Sequence, residues 1–115
     1  MKIGVCGMGR MGAAIAQRLL AVGHEVAVWN RDQAKTEPLK ALGAHVSENP
    51  ASLAASNDII ITMLLNDQAI DHVLRGKDGI LASDIKGKLV IEMSTVLPEV
   101  EEAAARDAQL KGAAY

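Results

Sequence analysis

The sequence predicts an α/β fold in which a parallel, doubly wound sheet is covered by helices on both faces. Short aliphatic runs alternate with longer segments whose apolar residues recur at helical spacing, and this order is typical of a parallel sheet with right-handed crossovers. The core must be aliphatic, because the 115 residues include one Trp, one Tyr and no Phe. The length suits one domain, and no internal repeat or linker divides it.

Each strand is predicted from a short apolar run. The run from Ile59 to Ile61 is the clearest, since an unbroken β-branched run of this length is typical of a central parallel strand. Val26, Val28 and Trp29 suit a pleated, buried surface in the same way. The predicted strands cover residues 2–6, 25–29, 44–46, 58–63 and 88–93, and residues 113–115 are expected to begin a further strand.

The helices are predicted from apolar spacing and from residues that begin or end a helix. Ile15, Leu19 and Val22 share one helical face, and Gly23 ends that helix. Asn49 is available to cap another helix at its N-terminus. The predicted helices cover residues 10–22, 33–42, 50–55, 67–74 and 98–111. Residues 75–86 are polar, contain two glycines and are predicted to form a loop.

The strongest functional signal is a glycine-rich turn between the first strand and the first helix. Its residues, all candidates for cofactor binding, are Gly7, Met8, Gly9, Arg10, Met11 and Gly12. In such a turn the first glycine permits the tight bend, the second lets the backbone approach a pyrophosphate, and the third lets the helix pack on the sheet. The phosphates then face the positive end of the helix. A glycine-rich turn without a ligand is the alternative, but the position between strand and helix favours a Rossmann-type, dinucleotide-binding domain.

The end of the second strand bears on the choice between NAD and NADP. NAD-binding domains usually place Asp or Glu there to hold the ribose 2′-hydroxyl. This chain has Asn30 and Arg31, with Lys35 a helical turn later. Arg31 can pair with a 2′-phosphate and stack on adenine, whereas Asn30 is neutral and can donate to the ribose. We therefore expect NADP; Asp32 weakens the preference and leaves NAD open, and ordinary solvation of Arg31 and Lys35 is the alternative.

Composition argues against several other classes of partner. The net charge is −2 without a basic run, so a nucleic-acid partner is not expected. No apolar segment is long enough for a membrane helix, and no signal peptide is evident. A single cysteine, Cys6, cannot form an internal disulfide, which fits a cytoplasmic protein. His24, His45 and His72 lie in separate elements, so no metal site is expected.

The chain resembles the β-hydroxyacid dehydrogenase family along its whole length. This family includes 3-hydroxyisobutyrate dehydrogenase, tartronate semialdehyde reductase and the glyoxylate/succinic semialdehyde reductases, and is related to 6-phosphogluconate dehydrogenase and the imine reductases. The matching stretches, in order, are KIGVCGMGRMGAAIAQRLL, GHEVAVWNRDQAK, DIIITMLLNDQA and GKLVIEMSTVLP. Three residues depart from the family pattern: Asp32 stands in place of Thr or Ser, Leu65 in place of a frequent Pro, and Glu92 in place of a common Asp.

The resemblance implies further roles for residues at the carboxyl ends of strands. It implies cofactor contacts from Met63, Leu64, Leu65, Ala69 and Thr95, and it puts Ser94 at the edge of a substrate pocket. Open α/β sheets bind ligands at this edge, so the physical argument agrees. Helix capping is the alternative role for Ser94 and Thr95.

The resemblance also implies parts that this sequence lacks. These are a Gly-rich substrate segment, a catalytic Lys on a later helix, and a helical domain that completes the pocket and the dimer. We therefore expect residues 1–115 to be the cofactor-binding half of an oxidoreductase, truncated before the helical C-terminal domain and without a catalytic residue of its own. The whole protein, a homo-oligomer, would act on a small 3-hydroxy acid or the corresponding aldehyde or keto acid. Imine reduction, 6-phosphogluconate dehydrogenase chemistry and a non-catalytic dinucleotide-binding module are the alternatives.

Overall fold

The computed structural model describes residues 1–64, 66–94 and 98–115. The described residues form five strands, and these are β1 (Lys2–Cys6), β2 (Glu25–Trp29), β3 (His45–Val46), β4 (Ile59–Thr62) and β5 (Leu89–Glu92). All of the pairings are parallel, and the strand order is β3-β2-β1-β4-β5. The α/β, Rossmann-type fold class predicted from the sequence is confirmed. In this order β2 and β3 are added on one side of β1, and β4 and β5 on the other. Open α/β sheets bind ligands at such a switch point, which here lies between β1 and β4.

The helices lie close to their predicted positions, with the exception of the second. They are α1 (Arg10–Ala21), α2 (Glu37–Ala41), α3 (Pro50–Ser56), α4 (Asp67–Arg75) and α5 (Pro98–Leu110). Asn49 caps α3 as expected, because its Oδ1 accepts a hydrogen bond from the amide of Ser52. No helix in the described part of the chain is long and apolar enough to cross a membrane.

Two segments differ from the prediction. The expected helix over residues 33–42 is a 3₁₀ turn, Gln33–Thr36, followed by the short α2. Pro38 explains the break, because it lacks the N–H that a continuous helix would direct to the carbonyl of Ala34 and is tolerated only in a first turn. The predicted loop over residues 75–86 contains a second 3₁₀ turn, Ile80–Ala82, which the polarity of the segment conceals and which buries Ile80 completely.

The two faces of the sheet bury separate cores. Successive residues of a strand point to opposite faces. Val5 of β1 therefore packs in the core covered by α1, whereas Cys6 packs in the core covered by α3, α4 and α5. Ala16 fills the first of these cores from α1, and Leu53 fills the second from α3. Helices on both faces leave the carboxyl edge of the sheet as the open side.

The residues after α5 begin to pair with the outer edge of β5. The amide of Val90 donates to the carbonyl of Ala114, and the amide of Ala114 donates to the carbonyl of Lys88, both at 2.8 Å. Leu89 and Ala114 form a parallel bridge. The expected start of a strand at residues 113–115 is confirmed as this single bridge.

Candidate functional site

Two glycines of the turn between β1 and α1 are required by the fold itself. Gly7 has φ +103°, a left-handed conformation that favours glycine, and a Cβ there would lie 2.1 Å from the carbonyl oxygen of Met63. A Cβ on Gly12 would lie 1.8 Å from the carbonyl oxygen of Gly7. The first and third glycines therefore allow the close contact of turn, helix and neighbouring strand that the sequence motif predicts.

The fold does not require the second glycine in this way. Gly9 has φ −67° and ψ −173°, which any residue can adopt, and a Cβ there would have no atom within 4 Å. Gly9 is the N-cap of α1 and makes no side-chain cap hydrogen bond, and the first turn of the helix holds no acidic residue. The space beside Gly9, in front of a positive helix end, fits a phosphate group that must approach the backbone closely.

Asn30 ties the glycine turn to the end of β2. Its Oδ1 accepts a hydrogen bond from the amide of Met8 at 2.8 Å, and its Nδ2 donates to the carbonyl of Asp32 at 2.9 Å. The Met8 side chain is buried in the core, so only its backbone is available at the turn. Asn30 therefore positions the turn, and its predicted bond to a ribose would use the donor capacity that remains on Nδ2.

Arg31 and Lys35 are exposed at the mouth of the site, whereas the carboxylate of Asp32 is already engaged. Asp32 caps the 3₁₀ turn, because its Oδ1 accepts a hydrogen bond from the amide of Ala34 at 3.1 Å. This bond directs the carboxylate toward the backbone of its own turn. Asp32 nevertheless lines the cleft beside Arg31, so its negative charge still disfavours an anion there.

A cleft of about 710 Å³ joins these residues to the loop after β4. One wall comes from the glycine turn and the end of β2, and the other from the segment around α4. The lining residues are Gly7, Gly9, Trp29, Asn30, Arg31, Asp32 and Lys35 on the first wall, and Met63, Leu64, Asn66, Gln68, Ala69, His72 and Val73 on the second. The structure thus brings together eight of the predicted cofactor-binding residues, namely Gly7, Gly9, Asn30, Arg31, Lys35, Met63, Leu64 and Ala69.

The remaining predicted residues do not line this cleft or are not described. Arg10 and Met11 are exposed in the first turn of α1, whereas Met8 and Gly12 are buried. Ser94 is buried nearby. Leu65 and Thr95 lie outside the described residues, so their expected contacts stay predictions.

Ser94 belongs to a short chain of hydrogen bonds at the ends of β4 and β5. Its Oγ accepts from the amide of Leu64 at 2.5 Å, and its own amide donates to Oε1 of Glu92 at 2.7 Å. Thr62 donates its hydroxyl to the other carboxylate oxygen, Oε2 of Glu92. In these contacts Ser94 acts on the loop after β4, and its expected role at the edge of a substrate pocket stays a prediction.

Comparison with known proteins agrees with this geometry. The family described as the NAD binding domain of 6-phosphogluconate dehydrogenase matches residues 2–115. The chain belongs to this family. The resemblance to the β-hydroxyacid dehydrogenases is confirmed as well, because the relatives include 3-hydroxyisobutyrate dehydrogenase-like proteins and a glyoxylate/succinic semialdehyde reductase.

Three similar proteins show how far the likeness extends. The uncharacterized oxidoreductase YfjR of Bacillus subtilis (strain 168) is 41% identical over 97% of this chain and 39% of its own length. The chloroplastic glyoxylate/succinic semialdehyde reductase 2 of Arabidopsis thaliana is 38% identical over 84% of this chain and 27% of its own length. The imine reductase of Myxococcus stipitatus, solved in complex with NADP⁺, is 31% identical with a TM-score of 0.90, over 100% of this chain and 39% of its own. This NAD-binding domain thus spans less than two fifths of each of these proteins.

Several residues of the NAD-binding domain's cleft were missed by the sequence analysis. His72 and Val73 follow Ala69 by three and four residues, so helical spacing from Ala69 could have found both. Asn66 is the N-cap of α4, and its Oδ1 accepts from the amide of Ala69 at 2.9 Å. The sequence predicts only a core position for Trp29, whereas its place at the end of β2 also puts it at the ligand-binding edge.

Cys6 also lies near this edge of the NAD-binding domain, and a cysteine thiol can act as a nucleophile. Cys6 and Glu92 lie on either side of Thr62 in the last rung of the sheet. Burial raises the pKa of the Cys6 thiol far above its usual value, and the negative charge of Glu92 raises it further. A thiol that stays protonated is a poor nucleophile. The structure therefore supports a packing role for Cys6.

Proposed function

We propose that the chain holds NADP(H) for an oxidoreductase, with NAD(H) as the weaker ligand. The observation that carries the proposal is the space beside Gly9, which opens into the cleft that Arg31 and Lys35 line. An empty Cβ position at a helix N-terminus suits a pyrophosphate, and two cations at the end of β2 suit a 2′-phosphate on the adenosine half. The imine reductase that shares this fold was solved with NADP⁺, which supports the same choice.

The proposed orientation rests on the two cations at one wall and on the family resemblance of the residues at the other. The adenosine half would lie beside Arg31 and Lys35, and the nicotinamide half would lie along Met63 and Leu64. Bound there, the cofactor would supply hydride transfer. The chain's own residues would bind and orient it: Asn30 holds the glycine turn, and the helix end faces the phosphates.

For the whole protein we propose reduction or oxidation of a small 3-hydroxy acid or the corresponding aldehyde or keto acid. The similarity to a glyoxylate/succinic semialdehyde reductase supports this substrate class. Ser94 and Thr95 would meet the substrate at the edge of the nicotinamide site. A homo-oligomeric, cytoplasmic enzyme without nucleic-acid or membrane partners remains part of this proposal, in keeping with a net charge of −2 and one buried cysteine. Imine reduction is the second candidate, supported by the TM-score of 0.90 to an imine reductase.

Calorimetric titration of the chain with NADPH and with NADH tests the cofactor proposal. We expect tighter binding of NADPH. Arg31→Ala should weaken NADPH by about 1.5–3 kcal/mol, the usual contribution of a charge-assisted hydrogen bond, with much less effect on NADH. Arg18→Ala is the matched control, because Arg18 is exposed on α1 outside the cleft. Equal affinities would contradict the NADP preference, and an absence of binding to either cofactor would contradict the site itself.

A further inference from the structure

We propose that Glu92 is a positioning residue that links the ends of β4 and β5 and so fixes Leu64 in the wall of the cleft. The inference rests on the proposed function, since that wall is the one assigned to the nicotinamide half. In the sequence, Glu92 stands out only as a departure from the family's common Asp. The structure gives this carboxylate two partners, Thr62 on β4 and the amide of Ser94 just after β5.

The carboxylate joins the two strands where their regular pairing ends. Thr62 and Glu92 face each other in the β4–β5 register, and the amide of Met93 still donates to the carbonyl of Thr62 at 2.8 Å. Beyond that point the side chains continue the connection. Thr62 donates its hydroxyl to Oε2, and Ser94 donates its amide to Oε1 at 2.7 Å. Each carboxylate oxygen therefore accepts one hydrogen bond, one from the end of β4 and the other from just after β5.

A second bond carries this restraint to the cleft wall. Ser94 is 5% exposed, and its Oγ accepts from the amide of Leu64 at 2.5 Å. The bond between Glu92 and the Ser94 amide holds the Ser94 backbone in place, and from this position Ser94 Oγ reaches the Leu64 amide. Met63 is fixed separately, because its amide donates to the carbonyl of Cys6 at 3.0 Å. Loss of the Glu92 bonds should therefore release Leu64 without opening the sheet.

The chemistry of the carboxylate suits this task. Both of its partners are used as donors, and an ionised carboxylate accepts through both oxygens. Glutamine has the same shape but only one oxygen, so Glu92→Gln puts an NH₂ group against one of the two donors. Thr62 is buried at 1% exposure, and its hydroxyl would have to reverse its role to satisfy that NH₂ group. The substitution thus replaces two bonds to a carboxylate with neutral bonds and makes the Thr62 hydroxyl accept instead of donate, which weakens the clamp while conserving volume.

Binding of two probes to the full chain tests the proposal. NADPH would contact both walls of the cleft, whereas adenosine 2′,5′-bisphosphate would contact only the adenosine side. We expect Glu92→Gln and Ser94→Ala each to weaken NADPH about tenfold, as the loss of one hydrogen bond predicts, and to leave adenosine 2′,5′-bisphosphate within about twofold. The double variant should be little worse than either single variant, because both act through one chain of bonds. Glu102→Gln, on the exposed surface of α5, is the control.

Equal weakening of both probes would indicate a general structural role and overturn the proposal, as would an unchanged NADPH affinity. Hydrogen exchange at the Leu64 amide provides a readout that needs no cofactor. Glu92→Gln and Ser94→Ala should speed this exchange about tenfold, and Glu102→Gln should not. Unchanged exchange overturns the inference about Glu92. If the two variants exchange faster but the wild-type chain binds neither probe, the proposed function is overturned and the positioning role stands.

Discussion

Replacement of Gly9 by valine separates the ligand's requirements from those of the fold. Gly9 lies in an extended conformation that L-residues adopt freely, and a Cβ there has no atom within 4 Å. Gly12 is the matched comparison in the same turn, because a Cβ there would lie 1.8 Å from the carbonyl oxygen of Gly7. We expect Gly9→Val to fold and lose the cofactor, and Gly12→Ala to lose much of its stability.

The magnitudes follow from these distances. Gly9→Val exchanges a glycine N-cap for a poorer one, which costs a few tenths to about 1 kcal/mol, and the loss of unfolded-chain freedom offsets part of that. Gly12→Ala must separate a Cβ and a carbonyl oxygen by more than 1 Å between backbone segments that have no rotamer to change. Overpacking of this kind costs about 3 kcal/mol or more, a large share of a domain's stability.

Cofactor affinity changes in the opposite order. The valine side chain would occupy the space assigned to the pyrophosphate. Two lost charge-assisted hydrogen bonds correspond to at least about 3 kcal/mol, or roughly a hundredfold in Kd. Denaturant unfolding would measure the stability of both variants, and calorimetry with NADPH would measure affinity. Binding of NADPH by Gly9→Val at the wild-type Kd would refute the assignment of phosphate to this turn.

Three further predictions follow from the cores and the site. A Cβ on Gly4 would lie 2.3 Å from Cδ2 of Leu53, so Gly4→Ala and Leu53→Ala should each lower the free energy of unfolding. In a denaturant-unfolding cycle the double variant should lose about 1 kcal/mol or more less than the sum of the two single losses. Additive losses would show that the contact relaxes. The raised pKa of the Cys6 thiol keeps its proton on in the folded state. The free energy of unfolding should therefore fall by up to about 1.4 kcal/mol per pH unit once the pH exceeds the thiol's ordinary pKa of 9.0. Unfolding of Cys6→Ala between about pH 7 and 10 should lack that slope, and a slope identical to that of the wild type would assign it to other groups. The chain alone should not oxidise NADPH in the presence of glyoxylate, succinic semialdehyde or tartronate semialdehyde, because a positioned acid–base group typically contributes about 10²–10⁴-fold and no Lys here matches the family's; turnover that Gly9→Val abolishes would contradict this.

Local patterns were sufficient for most of the fold. The Ile59–Ile61 run and the apolar spacing of α1 each identify an element without reference to the rest of the chain. Pro38 was the local signal that could have corrected the helix over residues 33–42. The buried Ile80 had no such signal, because its burial depends on the packing of α3 and α4 against its turn.

The cleft residues were predictable where a motif, a strand end or the family resemblance marked them, whereas the Glu92 contacts were not. The glycine turn is contiguous, so spacing alone assigned a different role to each glycine. Glu92 meets Thr62 across 30 residues of sequence, through strand register. Nothing in the local sequence of either residue specifies that register, and only the folded sheet shows that a carboxylate links the two strand ends.

Because Cys6 is the single cysteine and is fully buried in β1, between β2 and β4, it can report how often the domain opens. A thiol reagent could reach it only after the helices over that face of the sheet move away, so the labelling rate would follow the free energy of that opening. A ligand that binds only the closed form would slow labelling in proportion to its occupancy. The thiol would thus measure both the stability of this core and the affinity of any dinucleotide, with no need for a catalytic readout.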